Sequence, residues 1–328
     1  MDNAPVLTIL NTTAPIYLLI ALGFLAMRSG WVSVPDIRAI GQFVTRFGLP
    51  ALLYRAIAAQ PLATILDARY LADYFAGSLA SMLAVRFCAR TLRRRSAATA
   101  ALEGLGSSCS NSAFVGYPIV AQVVGPVAGT ALALCALVEN ALMIPLGLAL
   151  ADAAPGQGTR VWRSQMLAAL HGLVRVPMFG AIVLGVLAAA LQLHLPQALD
   201  RALALLAGGA SAASLFVIGG SLVGIRLSGI RSDIALVTFG KLCLHPACVA
   251  ACVLLLPPAQ PALRAAAVLY AAMPMLSVLP ILALKYREEG LSAAALLTVI
   301  VTSFFTIGLV IGLLPADWLP AAAPAPVR

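Results

Sequence analysis

Ser107-Ser108-Cys109-Ser110-Asn111-Ser112-Ala113-Phe114-Val115-Gly116-Tyr117-Pro118 is the stretch on which the reading of this chain turns. It lies inside an apolar run, 97–123, of a length that can cross a bilayer. Its middle is nonetheless small and polar, and it ends on a glycine and a proline. Proline removes a backbone donor and its ring clashes with the turn before it. In hydrocarbon the freed groups would stay unsatisfied, so such a break must face protein or a water-filled cavity. The expectation is two half-helices meeting at a polar gap.

The rest of the chain sets that gap in a membrane. Of 328 residues, 62% are hydrophobic and 10% charged, and the mean hydropathy is +0.99. Soluble proteins are about a quarter charged. Twelve acids and twenty-one Lys/Arg cannot coat a globule of this size, which excludes a cytosolic enzyme, a secreted disulfide scaffold and a disordered tail protein. The six cysteines (Cys88, Cys109, Cys135, Cys243, Cys248 and Cys252) all fall in apolar stretches without a CxxC pair. They read as small hydrophobes rather than a disulfide or zinc framework. No GxSxG, HExxH, Walker A or GxGxxG pattern is present, so neither an enzyme, a primary pump nor a cofactor is expected.

Ten apolar spans follow from the breaks: 6–27, 37–59, 70–89, 97–123, 126–151, 165–191, 200–224, 232–256, 261–285 and 291–314. The first has no basic residue before it and Arg28 after it, so it reads as an uncleaved helix with its N-terminus outside. The loops then assigned to the cytoplasm hold thirteen Lys/Arg: Arg28, Arg38, Arg86, Arg90, Arg93, Arg94, Arg95, Arg160, Arg163, Arg226, Arg231, Lys285 and Arg287. The outer side holds four, Arg69, Arg201, Arg264 and Arg328. The positive-inside rule therefore puts both termini outside an inner, plasma membrane. It also accounts for the net charge of +9 without nucleic acid.

The polar loop between the fifth and sixth spans divides the chain into a first repeat, 1–151, a cytoplasmic linker, 152–164, a second repeat, 165–314, and a Pro/Ala-rich tail, 315–328. Five spans is an odd number, so the second repeat is threaded opposite to the first, as in many secondary transporters. The ninth span is interrupted at Ala272-Met273-Pro274, with Pro280 beyond, matching the break in the fourth. Paired interrupted helices point to a midplane substrate site.

Several residues could carry chemistry there. The Asn111 amide and the half-helix N-terminus after it could present donors to an anion; the neighbouring serines read better as small packing residues. Glu139, beside Asn140 in the fifth span, could carry a proton, hold a cation, or pair with Arg46, Arg55 or Arg175. Lys241 in the eighth span could attract an acidic substrate, hold a carboxylate, or snorkel. Asp73 sits near the outer face, where solvation is the plainer reading than a proton relay. His245, Cys248 and Cys252 share a helical face, and packing suits them better than metal binding. His171 and His194 read as interfacial.

Taken in order, these stretches resemble the auxin efflux carrier family. Phe47-Gly48-Leu49-Pro50-Ala51-Leu52-Leu53-Tyr54 is similar to its "LPALLF" segment, and Asn111 through Ile119 to its "N-x-x-F-x-G-x-P-I". Leu215 through Leu222, Lys241 with Pro246, and Pro274 through Tyr286 continue the likeness. The resemblance implies an all-α, ten-helix transporter with a 5+5 inverted repeat, a scaffold and a transport domain, in which the fourth and ninth helices break and cross. It places the substrate at Asn111, Ser112, Gly116, Pro118, Met273 and Pro274, with Glu139, Asn140, Lys241 and Asp73 as coupling or ion-pair candidates. The implied substrate is a small carboxylate such as malonate or malate; lipid, a proton or sodium ion, and a second copy of the chain are the other partners considered. Two departures bear on the substrate: Arg175-Val176-Pro177 stands where Asn-Pro is usual, and Ser214 where Pro is common. The rivals are a sodium-coupled carrier of the bile-acid type and a membrane sensor that binds without transporting.

Overall fold

The computed structural model describes residues 4–60, 67–152, 177–193, 195–224, 231–258 and 260–319, with side chains from Ala14 onward. Among these residues the chain is helical, without a strand. The helices are α1 (Ala4–Arg28), α2 (Val34–Phe43), α3 (Leu49–Ala58), α4 (Ala68–Phe87), α5 (Ala97–Ser108), α6 (Tyr117–Val124), α7 (Val127–Val138), α8 (Ile144–Asp152), α9 (Pro177–Ala190), α10 (Gln197–Ser221), α11 (Arg231–Phe239), α12 (His245–Leu255), α13 (Pro261–Ala272), α14 (Leu279–Ala283) and α15 (Glu289–Leu313). Four continuous stretches, Val127–Asp152, Gln197–Ser221, Arg231–Leu255 and Glu289–Leu313, are long and apolar enough to cross a membrane. Shorter or interrupted apolar helices make up the rest. The start of the expected sixth span, with Arg175, and residues 153–164 of the expected linker lie outside the described residues, as do His171 and His194.

Proline shapes several of these helices. π turns at Val44–Gly48, Ser112–Gly116, Glu139–Met143 and Gly240–Leu244 each end two residues before a proline: Pro50, Pro118, Pro145 and Pro246. In each case the residue just before the proline donates to the carbonyl five residues back, as Ile144 does to Glu139 and His245 to Gly240. A proline cannot donate and crowds the carbonyl four residues back. Widening the preceding turn relieves that crowding and keeps the helix going.

Packing gathers most of the helices into two groups, which meet along α3 and α7. In the first, α10 lies along α1 and against α2 and α3, and α9 lies along α3. In the second, α4 packs on α5 and α12, α5 on α8, α12 on α13, α13 on α7, and α15 on α11 and α14. Small residues let backbones approach in the first body. A Cβ at Gly219 would sit 1.9 Å from the Ile20 carbonyl oxygen, and one at Gly23 2.1 Å from that of Phe216. Without a hydrophobic drive between helices in lipid, this close backbone packing is a principal attraction.

Ion pairs tie helix ends within each body. Arg55 Nε meets Asp200 at 2.9 Å, joining α3 to α10. Arg93 and Arg95 hold Asp233, at 3.0 and 2.7 Å, and Lys285 holds Asp152 at 2.7 Å. Replacing Gly219 by Val is expected to cost about 1–3 kcal/mol through overpacking, read as a lower melting temperature in detergent. Gly208→Ala on the same helix, where a Cβ meets nothing within 4 Å, should not lower it.

Candidate functional site

The two interrupted helices meet. α5 stops at Ser108, Cys109–Asn111 runs extended, and the π turn Ser112–Gly116 leads into α6. α13 stops at Ala272 and helix resumes only at Leu279. Across the gap the Asn111 N–H donates to the Pro274 carbonyl at 2.8 Å and the Leu276 N–H to the Cys109 carbonyl at 3.1 Å. Ser110 and Met275 thereby form an antiparallel bridge. Each break supplies partners for backbone groups that the other leaves free, the condition for irregular backbone at membrane depth. Gly116 permits the approach: a Cβ there would lie 2.9 Å from the Tyr270 ring and 3.1 Å from Met273 Cγ.

A buried charge caps each side of this crossing. Glu139, 3% exposed, accepts from the Ser110 N–H at 2.9 Å, from the Tyr74 hydroxyl at 2.9 Å and from the Ser112 hydroxyl at 3.2 Å. Its carboxylate therefore sits at the amide end of the half-helix that begins at Ser112, where the helix dipole favours an anion. Lys241, fully buried, donates to the Ser110 hydroxyl at 2.9 Å, to His245 Nδ1 at 2.8 Å and to the Ala271 carbonyl at 2.6 Å. Ala271 lies in the last turn of α13, whose carbonyls lack helical partners, so the ammonium caps the opposite kind of helix end. Three acceptors saturate its three donors. With Lys241 donating to Nδ1, His245 keeps its proton on Nε2 and gives it to Ser78 Oγ at 2.8 Å.

Ser110 joins the two charges. Its N–H goes to Glu139 and its oxygen accepts from Lys241. Its hydroxyl is 3.4 Å from that of Tyr74. The Tyr74 hydroxyl donates mainly to Glu139, at the shorter distance, with the Ser110 oxygen as its second, longer acceptor. A continuous hydrogen-bonded line runs Ser78, His245, Lys241, Ser110, Tyr74, Glu139, Ser112.

One donor at the crossing has no partner. Asn111 is 3% exposed, and its Nδ2 makes no hydrogen bond. Its carbonyl accepts from Val115 and Gly116, so the helix's bonding begins there and leaves the amides of Ser112, Ala113 and Phe114 without a helical acceptor. Ala113 and Phe114 are half-buried. Phe114 lines a cavity of about 500 Å³ between α1, α2 and α10 whose polar wall is Arg38, Gln42, Thr45 and Ser221. Asn111, Ser112 and Ala113 do not line this cavity, which meets the crossing at Phe114 and carries the Arg38 guanidinium in its wall.

The structure thus brings Asn111, Ser112, Gly116, Met273 and Pro274 together, with Glu139 and Lys241 directly behind them, while Pro118 lies two residues on, in the first turn of α6. Lys241 does not snorkel, and Glu139 reaches no arginine in the described residues; Arg55 is taken by Asp200. Asn140 turns back to its own helix at the Ala136 carbonyl, and Asp73 is buried outside the line, with Oδ2 unpartnered. His245 is corrected from packing residue to member of the polar line. Ser107 and Ser108 bond to carbonyls of their own helix, as packing residues do, but Ser110 and Ser112 do not. Tyr74, Ser78 and Arg38 were missed: the first two sit in a helix whose apolar pattern hides them, and Arg38 reads as a loop charge.

An all-helical membrane protein with paired helix breaks around a partnerless buried donor belongs to the class of transporters rather than enzymes. Residues 8–311 match the membrane transport protein family, and the chain belongs to it; this is the auxin efflux carrier family that the sequence resembles. It is 26% identical over 324 residues to a putative malonate transporter of Rhizobium meliloti (strain 1021), covering 93% of this chain and 97% of that protein. It is likewise 26% identical over 242 residues to the uncharacterized transporter YfdV of Escherichia coli (strain K12) and to that of Shigella flexneri, covering 71% of this chain and 74% of each.

Replacing Lys241 by Met strands the Glu139 charge and should destabilise the protein by about 3–5 kcal/mol, the cost of removing one partner from a buried pair. Adding Glu139→Gln should recover part of that loss. Thermal unfolding of the two singles and the double in detergent measures it; strictly additive losses would show that the charges do not communicate.

Proposed function

We propose that the protein is a secondary active transporter of a small organic carboxylate or dicarboxylate, with malonate and malate the first substrates to try, working by alternating access. The observation that carries this reading is the Asn111 amide, buried without a partner beside two paired helix breaks. A carboxylate accepts hydrogen bonds only, and it meets here Asn111 Nδ2, first-turn amides and the positive end of a half-helix. Arg38 across the cavity supplies a fork of donors suited to a second carboxylate. Malonate is suggested by the name of the Rhizobium meliloti relative.

The packing supports the inverted 5+5 architecture. With the first five spans laid on the second five, the contact of α1 with α10 has its counterpart in α9 with α3; α4 with α5 matches α12 with α13; and α5 with α8 matches α14 with α15. The first body, with α1–α3, α9 and α10, is the scaffold, and the second is the transport domain. In the orientation expected from the positive-inside rule, both termini are outside the inner membrane, the Arg38 cavity opens toward the cytoplasm, and the Arg55–Asp200 pair lies outside. Large apolar side chains such as Leu205, Leu255 and Phe305 face lipid. One charge crossing 100 mV changes free energy by about 2.3 kcal/mol, so a proton gradient or membrane potential suffices as the driving force. Glu139 and Lys241 set the charge balance against which the substrate binds.

Uptake of labelled malonate or malate into proteoliposomes tests the reading. Asn111→Ala should lower uptake at limiting substrate about tenfold or more, the loss of one hydrogen bond to a charged group; unchanged uptake by a folded variant removes the site from the proposal. Replacing sodium by choline should leave uptake unaltered. Arg38→Gln should raise the half-saturation concentration for a dicarboxylate about tenfold while changing that for a monocarboxylate little.

A further inference from the structure

Another buried carboxylate takes no part in the crossing. Glu103, in the middle of α5, is 3% exposed, and neither of its oxygens has a hydrogen-bond partner. An ionised carboxylate held this way costs several kcal/mol. Glu139 is the instructive contrast: it is as buried, yet it collects a backbone N–H and two hydroxyls. Glu139 is surrounded by donors, and Glu103 has none among the described residues.

Its surroundings say what it is built for. Glu103 lines a small cavity together with Thr99, Glu288, Ser292, Met275 and Leu279. The inner wall is the second helix break: Met275 is the bridge partner of Ser110, and Leu279 opens α14. At the mouth the Thr99 hydroxyl donates to Glu288 at 2.6 Å, with Ser96 Oγ 2.7 Å from Thr99. Glu288, at the opposite side of the cavity from Met275, is half-buried. The cavity's volume, about 10 Å³, is at the threshold for one water and too small for a hydrated metal cation.

The charged groups on the elements packed around α5 make no hydrogen bond to Glu103, although the charges of Asp233, Arg93, Arg95 and Glu288 are near enough to act on it. Arg93 and Arg95, after α4, and Asp233, on α11, hold one another. Asp152 at the end of α8 is held by Lys285. Lys241 is saturated at the far end of α5. Arg86 on α4 lies beside Gly104 by its Cβ, with Nε unpartnered. Glu288, before α15, adds negative charge at the mouth.

We propose that Glu103 is a proton-binding site, reached through the Thr99–Glu288 mouth, whose protonation couples proton movement to rearrangement of the Met275–Leu279 wall of the crossing. The step is a plain transfer: a hydronium ion in the cavity gives its proton to a Glu103 oxygen, leaving a neutral acid and a water, and the reverse releases it. The neutral acid lets the wall close on it; the anion draws water in and opens it. This inference rests on the transport reading, since it names the coupling group of that cycle.

The test compares the whole protein with Glu103→Gln in lipid. The infrared spectrum of the wild type at neutral pH should hold a protonated-carboxyl carbonyl band that the variant lacks. In proteoliposomes the variant should lose pH-driven accumulation of malonate, while exchange of internal for external malonate, which needs no net proton movement, continues. Loss of an ionised-carboxylate band instead, or accumulation that survives the substitution, overturns the proposal. A wild type that takes up no malonate counts against the transport reading alone, because the infrared comparison still locates the proton. If Glu103→Gln does not fold, Glu103→Asp must shift the acid band, and an unshifted band is equally fatal.

Discussion

The structure depends on a carboxylate and an ammonium buried at opposite kinds of helix end and joined through one serine. Glu139 sits at the amide end of the half-helix beginning at Ser112, and Lys241 at the carbonyl end of α13. Neither charge is sustainable alone in a low dielectric, and neither helix end is satisfied without its charge. Ser110 binds one charge with its N–H and the other with its oxygen, so the position of the break is fixed to the residue. The backbone bridge to Met275 then follows, because Ser110 cannot serve both charges from within a continuous helix. At the crossing itself, Asn111 Nδ2 is left without a hydrogen-bond partner among the described residues.

The prolines explain how those two charges come to face inward. Glu139 opens a π turn that precedes Pro145, and Lys241 lies within one that precedes Pro246. A π turn adds one residue to the helix, turning the face that points inward by about 100°. The helical stretches on either side of each turn can therefore bury different stripes. The same device before Pro118 lets α6 leave the crossing as helix immediately after an extended segment. A proline in lipid is usually discussed as a defect; here its cost, a crowded carbonyl, is absorbed by the geometry that presents a polar residue to the core.

Much of this was legible beforehand, and what was not has a common cause. The apolar runs and the breaks at Asn111–Pro118 and Met273–Pro274 are local signals, and where the chain is described those runs are helical. The small residues around Asn111 could be read as packing or as binding, and the structure splits them: Ser107 and Ser108 bond along their own helix, whereas Ser110 and Ser112 reach across to charges. Lys241 looked equally suited to snorkelling because its acceptors, Ser110 and Ala271, are 131 and 30 residues away in sequence. His245 looked like packing because Ser78 is 167 residues away. Arg38 was counted only as a topology charge, because the cavity it lines is built from helices far apart in sequence. Local pattern reveals where a helix must break; it cannot reveal which distant side chain will satisfy the broken end.

The same distribution of polar ties bears on motion. Arg55–Asp200 joins helices of the first body, while Arg93, Arg95 and Lys285 make their ion pairs within the second. Among the described residues no ion pair crosses between the bodies. Their contacts are of another kind: Gly129 of α7 against Ala56 of α3, where a Cβ would lie 2.1 Å from the alanine methyl, and the Ser214 hydroxyl donating to the Phe114 carbonyl at the crossing. Small apolar surfaces can slide with little loss of dispersion, whereas an ion pair must be broken, at a cost of up to about 1 kcal/mol where it is exposed and more where a member such as Asp233 is buried. Domain motion in an alternating-access cycle needs two internally tied bodies and a smooth seam between them. Ser214, standing where the resembling family commonly has proline, adds a hydroxyl tie to that seam at the very turn that carries Asn111. In the alternating-access cycle proposed above, movement of the crossing relative to α10 would break the Ser214–Phe114 bond and leave that carbonyl in need of another donor.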